Sequence, residues 1–285
     1  MRSGQNMNNQ KEKIVCAVVV YGINISECMV YKTFIKRNLS KIDCLLVFDN
    51  SPISHYEEIH LANGVFEYYW NPKNPGVSVN YNKAAEYAVE NNYKWILLLD
   101  QDTTFPSDAW DLYNRGLEDH PDVLMFVPKH RIMTGKYISP SRPFRSLLNK
   151  VPSGFYDINK FEVINSGLMI RVDKFIEAGG YNASVELDFS DFQFVERIRR
   201  FIRNVLVLDI ECLQDFSNME NDKGKLLKRF EKYCDGAVNF ETDSLNCKLK
   251  IAYLVIKHTV ALSLRCRTFA VYRTLWCAII NKNII

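Results

Sequence analysis

The 285-residue chain contains no long uninterrupted apolar run. Its two most apolar late stretches, residues 251–264 and 268–280, are broken by Lys257 and His258 and by Arg273. Neither reads as a transmembrane helix, which needs about 20 predominantly apolar residues. The early run 14–21 follows a polar start and is too short for a secretory signal in its usual context. The eight cysteines include no CxxC pair and no metal-finger spacing, which argues against a zinc or dithiol site. Cys16 and Cys44 lie in strand-like apolar runs and read as buried, reduced thiols of a cytoplasmic protein. The chain has no Gly-Lys-Ser/Thr phosphate loop and no GxGxxG, so a P-loop NTPase and a dinucleotide-binding dehydrogenase are both disfavoured. Internal repeats and low-complexity segments are absent too.

What is present is an ordinary globular composition, with 47% hydrophobic and 24% charged residues, long enough for one or two domains. The net charge of +3 is unevenly spread. From Lys223 onward there are 12 Lys and Arg against 4 Asp and Glu; the first 222 residues carry 24 against 29. A mildly acidic body therefore bears a basic, aromatic-rich tail. Such a tail suits an anionic partner such as a membrane surface or phosphorylated acceptor.

The first half alternates strand and helix signals. Apolar runs at 14–21, 44–48, 65–70 and 95–99 each end in a polar turn, and helices are expected over about 27–38 and 79–91. Repeated β-α units of this size imply a mostly parallel sheet with helices on both faces. A further strand is expected at 123–128, a long functional or disordered loop at 131–160, a strand-like run at 163–170, a helix over 189–202 and a last strand at 205–210. The region from Lys223 on has a helical pattern, and amphipathic basic helices of this kind serve a membrane surface or a packing or dimer interface equally well.

The strongest chemical signal is Trp95-Ile96-Leu97-Leu98-Leu99-Asp100-Gln101-Asp102. A buried strand ends in two carboxylates at the carboxyl edge of an open α/β sheet, where ligands bind. Two acids side by side repel unless a cation or proton intervenes, and oxygen-only ligands suit Mg2+ or Mn2+. Asp49 closes the preceding parallel strand on the same edge, where a carboxylate can accept from a base N–H or ribose hydroxyl; turn chemistry explains it as well. Asn74-Pro75-Gly76 leads into a helix start that favours anions. Asn82 sits inside that helix, where Asn is a poor former, so its side chain is expected to have a role. Asp188 and Asp191 open a later helix that carries Arg197 and Arg199. That charge order suits the helix dipole, or else places Asp191 in a cleft as a general base.

Taken in order, Asp49-Asn50-Ser51, Asn74 to Asn82, Leu99-Asp100-Gln101-Asp102-Thr103, Ile164-Asn165-Ser166-Gly167, Ala178-Gly179-Gly180-Tyr181 and the Asp191 helix resemble the family 2 glycosyltransferases. Those have the GT-A fold, and the pattern is most similar to their rhamnosyltransferase-like branch. The resemblance covers about residues 13–218. It implies a GT-A domain over 13–222, with a helical C-terminal region over 223–285. It implies an inverting, metal-dependent transferase that moves a sugar from a nucleotide-sugar, dTDP-rhamnose or a UDP-sugar, to a surface-glycan acceptor, lipid-linked in this branch. Tyr21, Asp49, Asn74, Gly76, Asn82 and Asp100 would bind the donor nucleotide. Asp102 and Asp100 would hold Mg2+ or Mn2+, and Asp191 would be the catalytic base. Asn165, Ser166, Gly167, Asp188, Arg197 and Arg199 would lie on the acceptor or diphosphate side.

The chain departs from the family pattern at Ser190 and Gln193, and at Asp215, which stands where relatives often carry a metal-facing His. Asp215 is therefore a candidate third ligand. Two other functions compete. A nucleotidyltransferase normally needs a Gly-rich basic loop after the first strand, where this chain reads Val20-Tyr21-Gly22-Ile23-Asn24. A catalytically inactive glycan-binding homologue is suggested by the departures. Nucleic acid is not an expected partner. The expected location is the cytoplasm, at the inner face of the cell membrane if the tail docks there.

Overall fold

The computed structural model describes residues 12–142, 146–214 and 222–282. Four strands build the first half of the sheet: the buried β1 (Ile14–Val20) and β2 (Cys44–Asp49), the partly exposed β3 (Val65–Trp70) and, after helix α1 (Gly76–Glu90), the buried β4 (Trp95–Asp100). They run parallel in the order β3-β2-β1-β4. Their register sets Val20 beside Asp49, Asp49 beside Trp70 and Val19 beside Asp100, so the strand ends share one edge.

The sheet continues through a two-residue β5 (Thr103–Thr104), helix α2 (Ala109–Asp119), β6 (Met125–Ile132), β7 (Tyr137–Arg142), β8 (Ser146–Leu148) and β9 (Gly154–Asp157). β10 (Met169–Arg171), helices α3 (Val172–Glu177) and α4 (Ser190–Ile198), and β11 (Asn204–Gln214) follow. This second half is mixed. β10 runs antiparallel between β4 and β6, β6 is parallel to β11, and β5 and β9 are antiparallel to β11. The molecule is thus a mixed α/β structure with one large central sheet.

Side chains alternate across the sheet, as strand geometry requires. Val15, Ala17 and Val19 meet α1, α3 and α4 on one face. Ile14, Cys16, Val18 and Val20 meet the 25–42 segment and α2 on the other. Both faces are covered, which explains the continuous apolar strands.

Three local expectations change. The helix expected over 27–38 is a 3-10 turn at Ile25–Glu27 followed by a π-helical turn at Tyr31–Ile35. Here the Val30 N–H is drawn 3.3 Å to the Gln101 carbonyl, away from a regular helical ladder. The loop expected at 131–160 contains the short strands β7, β8 and β9; Pro140 lies in β7 where its pairing with β8 is irregular, between Tyr137 and Arg142, a position proline tolerates. The strand-like run 163–170 forms backbone strand only at Met169–Arg171; Gly167 at φ 72° turns the residues before it into a loop.

The C-terminal region is helical as expected: α5 (Lys223–Val238), α6 (Leu245–Cys266) and α7 (Ala270–Lys282). The Ser244 hydroxyl caps α6 by accepting from the Cys247 N–H at 3.3 Å, an N-cap role this residue type favours. No described helix is long and apolar enough to cross a membrane.

Candidate active site

Asp100 ends β4 half-buried. Its Oδ1 accepts from the Tyr81 hydroxyl at 2.8 Å and from Asn165 Nδ2 at 3.2 Å. Burial, then the charges of Asp102 and Asp191, push its carboxyl up to about 7 against the Tyr81 hydrogen bond. Two further carboxylates, one of them from the distant α4, therefore act on Asp100 at this edge.

Asp102 is exposed. Its Oδ1 accepts from Gln214 Nε2 at 2.9 Å, and Gln214 Oε1 accepts from the buried Thr103 hydroxyl at 2.8 Å. β5 lies against the end of β11, pairing Thr103 with Gln214, and so the amide holds one acid of the pair in place. Gln214 was not foreseen; the signal was a polar residue buried at the end of a strand. Asp215, the candidate third ligand, lies outside the described residues. Gln101 bridges elsewhere: its Oε1 accepts from the Tyr21 N–H at 2.7 Å, leaving the Tyr21 ring half exposed at the same edge.

Asn165, Ser166 and Gly167, expected on the acceptor or diphosphate side, are buried and form a floor under the acids. The Ser166 hydroxyl lies 2.7 Å from the Thr103 hydroxyl and 3.4 Å from the Asp100 N–H, from which it accepts. The Gly167 carbonyl accepts from Tyr113 at 2.6 Å. Beneath them His130 is fully buried, with Nε2 2.7 Å from the Ser166 carbonyl, to which it must donate. Burial pushes its imidazole down to about 3 from 6.5. A group held neutral in the fold but charged when unfolded supports stability fully only above about pH 6.5 and loses it as pH falls toward 3. Wild type should therefore lose about 1.4 kcal/mol per pH unit in this window relative to His130→Gln, which urea melts at a series of pH values would measure.

Two residues expected on the donor side make their hydrogen bonds within the protein. Asp49 is fully buried. Its Oδ1 accepts from the Ser51 N–H at 2.8 Å, and its Oδ2 accepts from the His55 N–H at 2.8 Å and from the Tyr68 hydroxyl at 2.5 Å. Burial works against its charge, but these bonds outweigh it and hold the carboxyl below its usual range. Asp49 shapes the 50–55 turn; its carboxylate does not open to the cleft. Asn82 spends both ends of its amide on Tyr181, donating to the carbonyl and accepting from the N–H, each at 2.8 Å. It clamps the Gly-Gly-Tyr turn and is not available to a nucleotide. Asn82→Ala would leave both backbone groups of Tyr181 without these partners, and should cost about 2–4 kcal/mol in a denaturant melt.

The helix start after Asn74 and Gly76 is likewise occupied by protein. Val77 N–H donates to the Glu186 carbonyl at 3.0 Å, and the Ser78 hydroxyl donates to the Val185 carbonyl at 2.5 Å. Gly76 has φ 86°, and a Cβ there would lie 2.5 Å from the Glu186 carbonyl oxygen. Its role is close backbone approach to the 185–186 segment, not an open anion nest. Asn74, at φ 46°, makes the turn before it, its N–H bonded to the Asn71 carbonyl at 3.1 Å.

That segment leads to Asp188, Phe189 and Asp191. Phe189 caps α4 at φ 72°, a left-handed conformation strained for an aromatic residue. It is buried against Tyr233 of α5, with ring centroids 4.8 Å apart, and against Phe240 at 6.4 Å. Asp188 points the same way, 3.8 Å from Arg229 of α5. Gln193 exchanges two hydrogen bonds with the backbone of Glu241, at 3.1 and 2.6 Å. The C-terminal helices thus hold the corner from which Asp191 projects. Gly236 of α5 is part of this contact: a Cβ there would sit 2.6 Å from the Asp188 carbonyl oxygen. Gly236→Val should therefore shift the 188–191 corner and lower the melting temperature, while Gly224→Val on the exposed start of α5 should change it far less.

Arg197 and Arg199, expected on the acceptor or diphosphate side, are committed to the protein. Arg197 donates to the carbonyls of Gly179 and Gly180 at 3.0 and 3.1 Å and to Glu241 at 2.7 Å. Arg199 donates to the Ile158 carbonyl at 2.8 Å and to Glu196 at 2.7 Å. These are braces of α4.

No group of three or more His, Cys, Asp or Glu side chains among the described residues is arranged to hold a metal ion. Asp100 and Asp102 still fit one, because Mg2+ is ordinarily held by one or two carboxylates together with substrate phosphates. The raised proton affinity of Asp100 comes first from burial and then from the charges of Asp102 and Asp191, and a cation would offset the second cause.

The site therefore lies where parallel strands of a mixed α/β sheet end in neighbouring acids, with helices on both faces of the sheet. The glycosyl transferase family 2 model matches residues 30–179, and the chain belongs to this family. A search of curated protein sequences gave no match. Among solved structures, the S. aureus TarS 1-349 complex with UDP-GlcNAc is similar with a TM-score of 0.59 at 11% identity, covering 95% of this chain and 80% of that one. GalNAc-T7 with UDP, GalNAc and Mn2+ is similar with a TM-score of 0.52 at 12% identity, covering 86% of this chain and 55% of that one. The protein is a glycosyltransferase by family.

Proposed function

We propose that the chain transfers one sugar, with inversion, from a nucleotide-sugar to a hydroxyl of a surface-glycan acceptor carried on a lipid. The observation that carries this reading is the electrostatic convergence of Asp100, Asp102 and Asp191 at one sheet edge. Asp191 takes the proton from the acceptor hydroxyl as that oxygen attacks the anomeric carbon. The bond from that carbon to the diphosphate breaks, and the diphosphate leaves with the electron pair. Asp102, with Asp100 behind it, holds a divalent cation, Mg2+ or Mn2+. When bound, that ion supplies charge stabilisation for the leaving diphosphate. Tyr21 offers its exposed ring to the nucleotide, and the turn shaped by Asp49 flanks it.

The donor is a dTDP-sugar such as dTDP-rhamnose or a UDP-sugar; the UDP ligands of the two similar structures favour testing UDP first. The catalytic unit is residues 13–222, and 223–285 is a supporting helical region that borders it through Phe189. A thermal-shift panel of nucleotide-sugars with and without Mn2+ tests the donor reading, because a ligand that binds only the native state raises its midpoint. One nucleotide class should raise the melting temperature only when Mn2+ is present. A flat panel would remove the donor assignment.

A further inference from the structure

Helix α6 carries an exposed apolar row, Leu245, Leu249, Tyr253, Ile256, Val260 and Leu264, at spacings of three and four. That spacing places all six on one stripe of an α-helix. Exposed aromatic residues follow it in the chain: Phe269, 85% exposed, just before α7, and Trp276 on α7, 63% exposed. A stripe this continuous is unusual on a water-facing surface. A basic row runs beside it: Lys250, Lys257 and Arg265 each follow an apolar member directly, about 100° further round the helix. Between Ser244 and Lys282 the chain has seven Lys and Arg and no Asp or Glu.

That charge distribution chooses the occupant. A two-fold pairing sets the same patch against itself, so a second copy of the chain would bring the Lys250, Lys257 and Arg265 row against its own equivalent, with no acid on α6 or α7 to offset it. An anionic lipid surface instead accepts the apolar row and neutralises the basic one. The helices are not long and apolar enough to span, which matches helices lying in the interface plane. The other face of α6 matters too. Val255, Ile251 and Leu254 pack with Phe189 and Val185, the corner that carries Asp191. One helix thus separates the outward apolar stripe from the base.

We infer that α6 and α7 form a membrane-docking surface that lies flat on an anionic bilayer, next to the site where a lipid-carried acceptor would be used. The docking itself does not depend on the transferase reading, since vesicle binding can be measured without donor or turnover. The full chain should float with phosphatidylglycerol–phosphatidylcholine vesicles and bind pure phosphatidylcholine roughly tenfold more weakly or worse. High salt should reduce the binding. Leu264→Ser with Trp276→Ser should abolish it, and Lys257→Glu with Arg273→Glu should lower it roughly tenfold on anionic vesicles only. Circular dichroism checks that these exposed-site variants fold. The proposal is overturned if the wild type does not float with anionic vesicles. It is also overturned if light scattering gives a dimer that Leu264→Ser with Trp276→Ser converts to monomer, since the stripe then belongs to a second copy.

Discussion

Asp191→Asn is expected to lower kcat by roughly 10²–10⁴-fold, the usual contribution of a positioned general base, with little change in donor KM or in melting temperature. The amide keeps the shape of the side chain and cannot take the acceptor's proton. The fold should tolerate it because the α4 corner is held by other groups: Phe189 against Tyr233, Gln193 against Glu241 and Arg197 against the Gly179–Gly180 carbonyls. Removing one of three neighbouring negative charges should also ease the ionisation of Asp100, whose proton affinity Asp191 helps to raise. The check is steady-state kinetics with a matched melting curve. A variant that melts early would indicate a structural role, and one that keeps wild-type kcat would remove Asp191 from the chemistry.

Asp102→Ala is expected to abolish the Mn2+-dependent thermal shift given by the donor and to lower kcat/KM by roughly 10²–10³-fold, the scale of losing one charge-stabilising group at a leaving oxyanion. Asp102 is exposed and accepts a hydrogen bond from Gln214. Its removal therefore leaves the core untouched, and the metal-free melting temperature should stay near that of wild type. This separates it from Asp100, whose carboxylate also accepts from Tyr81 and Asn165 and so belongs to the packing. Isothermal titration of Mn2+ with nucleoside diphosphate present would detect the loss directly. Unchanged Mn2+ affinity in Asp102→Ala would place the metal elsewhere.

The features that were legible in the sequence are those with a local signature. An apolar run that stops in Asp100-Gln101-Asp102 announces a buried strand ending at a ligand-binding edge. The register of β2, β1 and β4 then sets Asp49 and Asp100 on that edge. What could not be read are contacts between distant segments. Asn82 looked like a donor ligand because Asn is rare inside helices, yet its partner is the Tyr181 backbone, 99 residues on. Arg197 and Arg199 looked free for anions, yet carbonyls brought close only by folding accept from both; Glu196, three residues before Arg199, was a local sign of the second. Gln214 reaches Asp102 across 112 residues and has no motif of its own. The hairpin of β7 and β8 was hidden by prolines, and the Tyr31–Ile35 turn by a tertiary hydrogen bond to Gln101. In each case tertiary geometry overrode a local preference.

The central claim is sugar transfer with Asp191 as base at the Asp100–Asp102 edge. The most direct test incubates the wild type and Asp191→Asn with Mn2+, the donor identified by thermal shift and an acceptor glycan, and records product formation and its anomeric configuration by NMR. The account predicts wild-type formation of a glycoside of inverted configuration with matching release of nucleoside diphosphate, and at least a roughly hundredfold loss in the variant. Retained configuration, or equal rates in the two proteins, would contradict it.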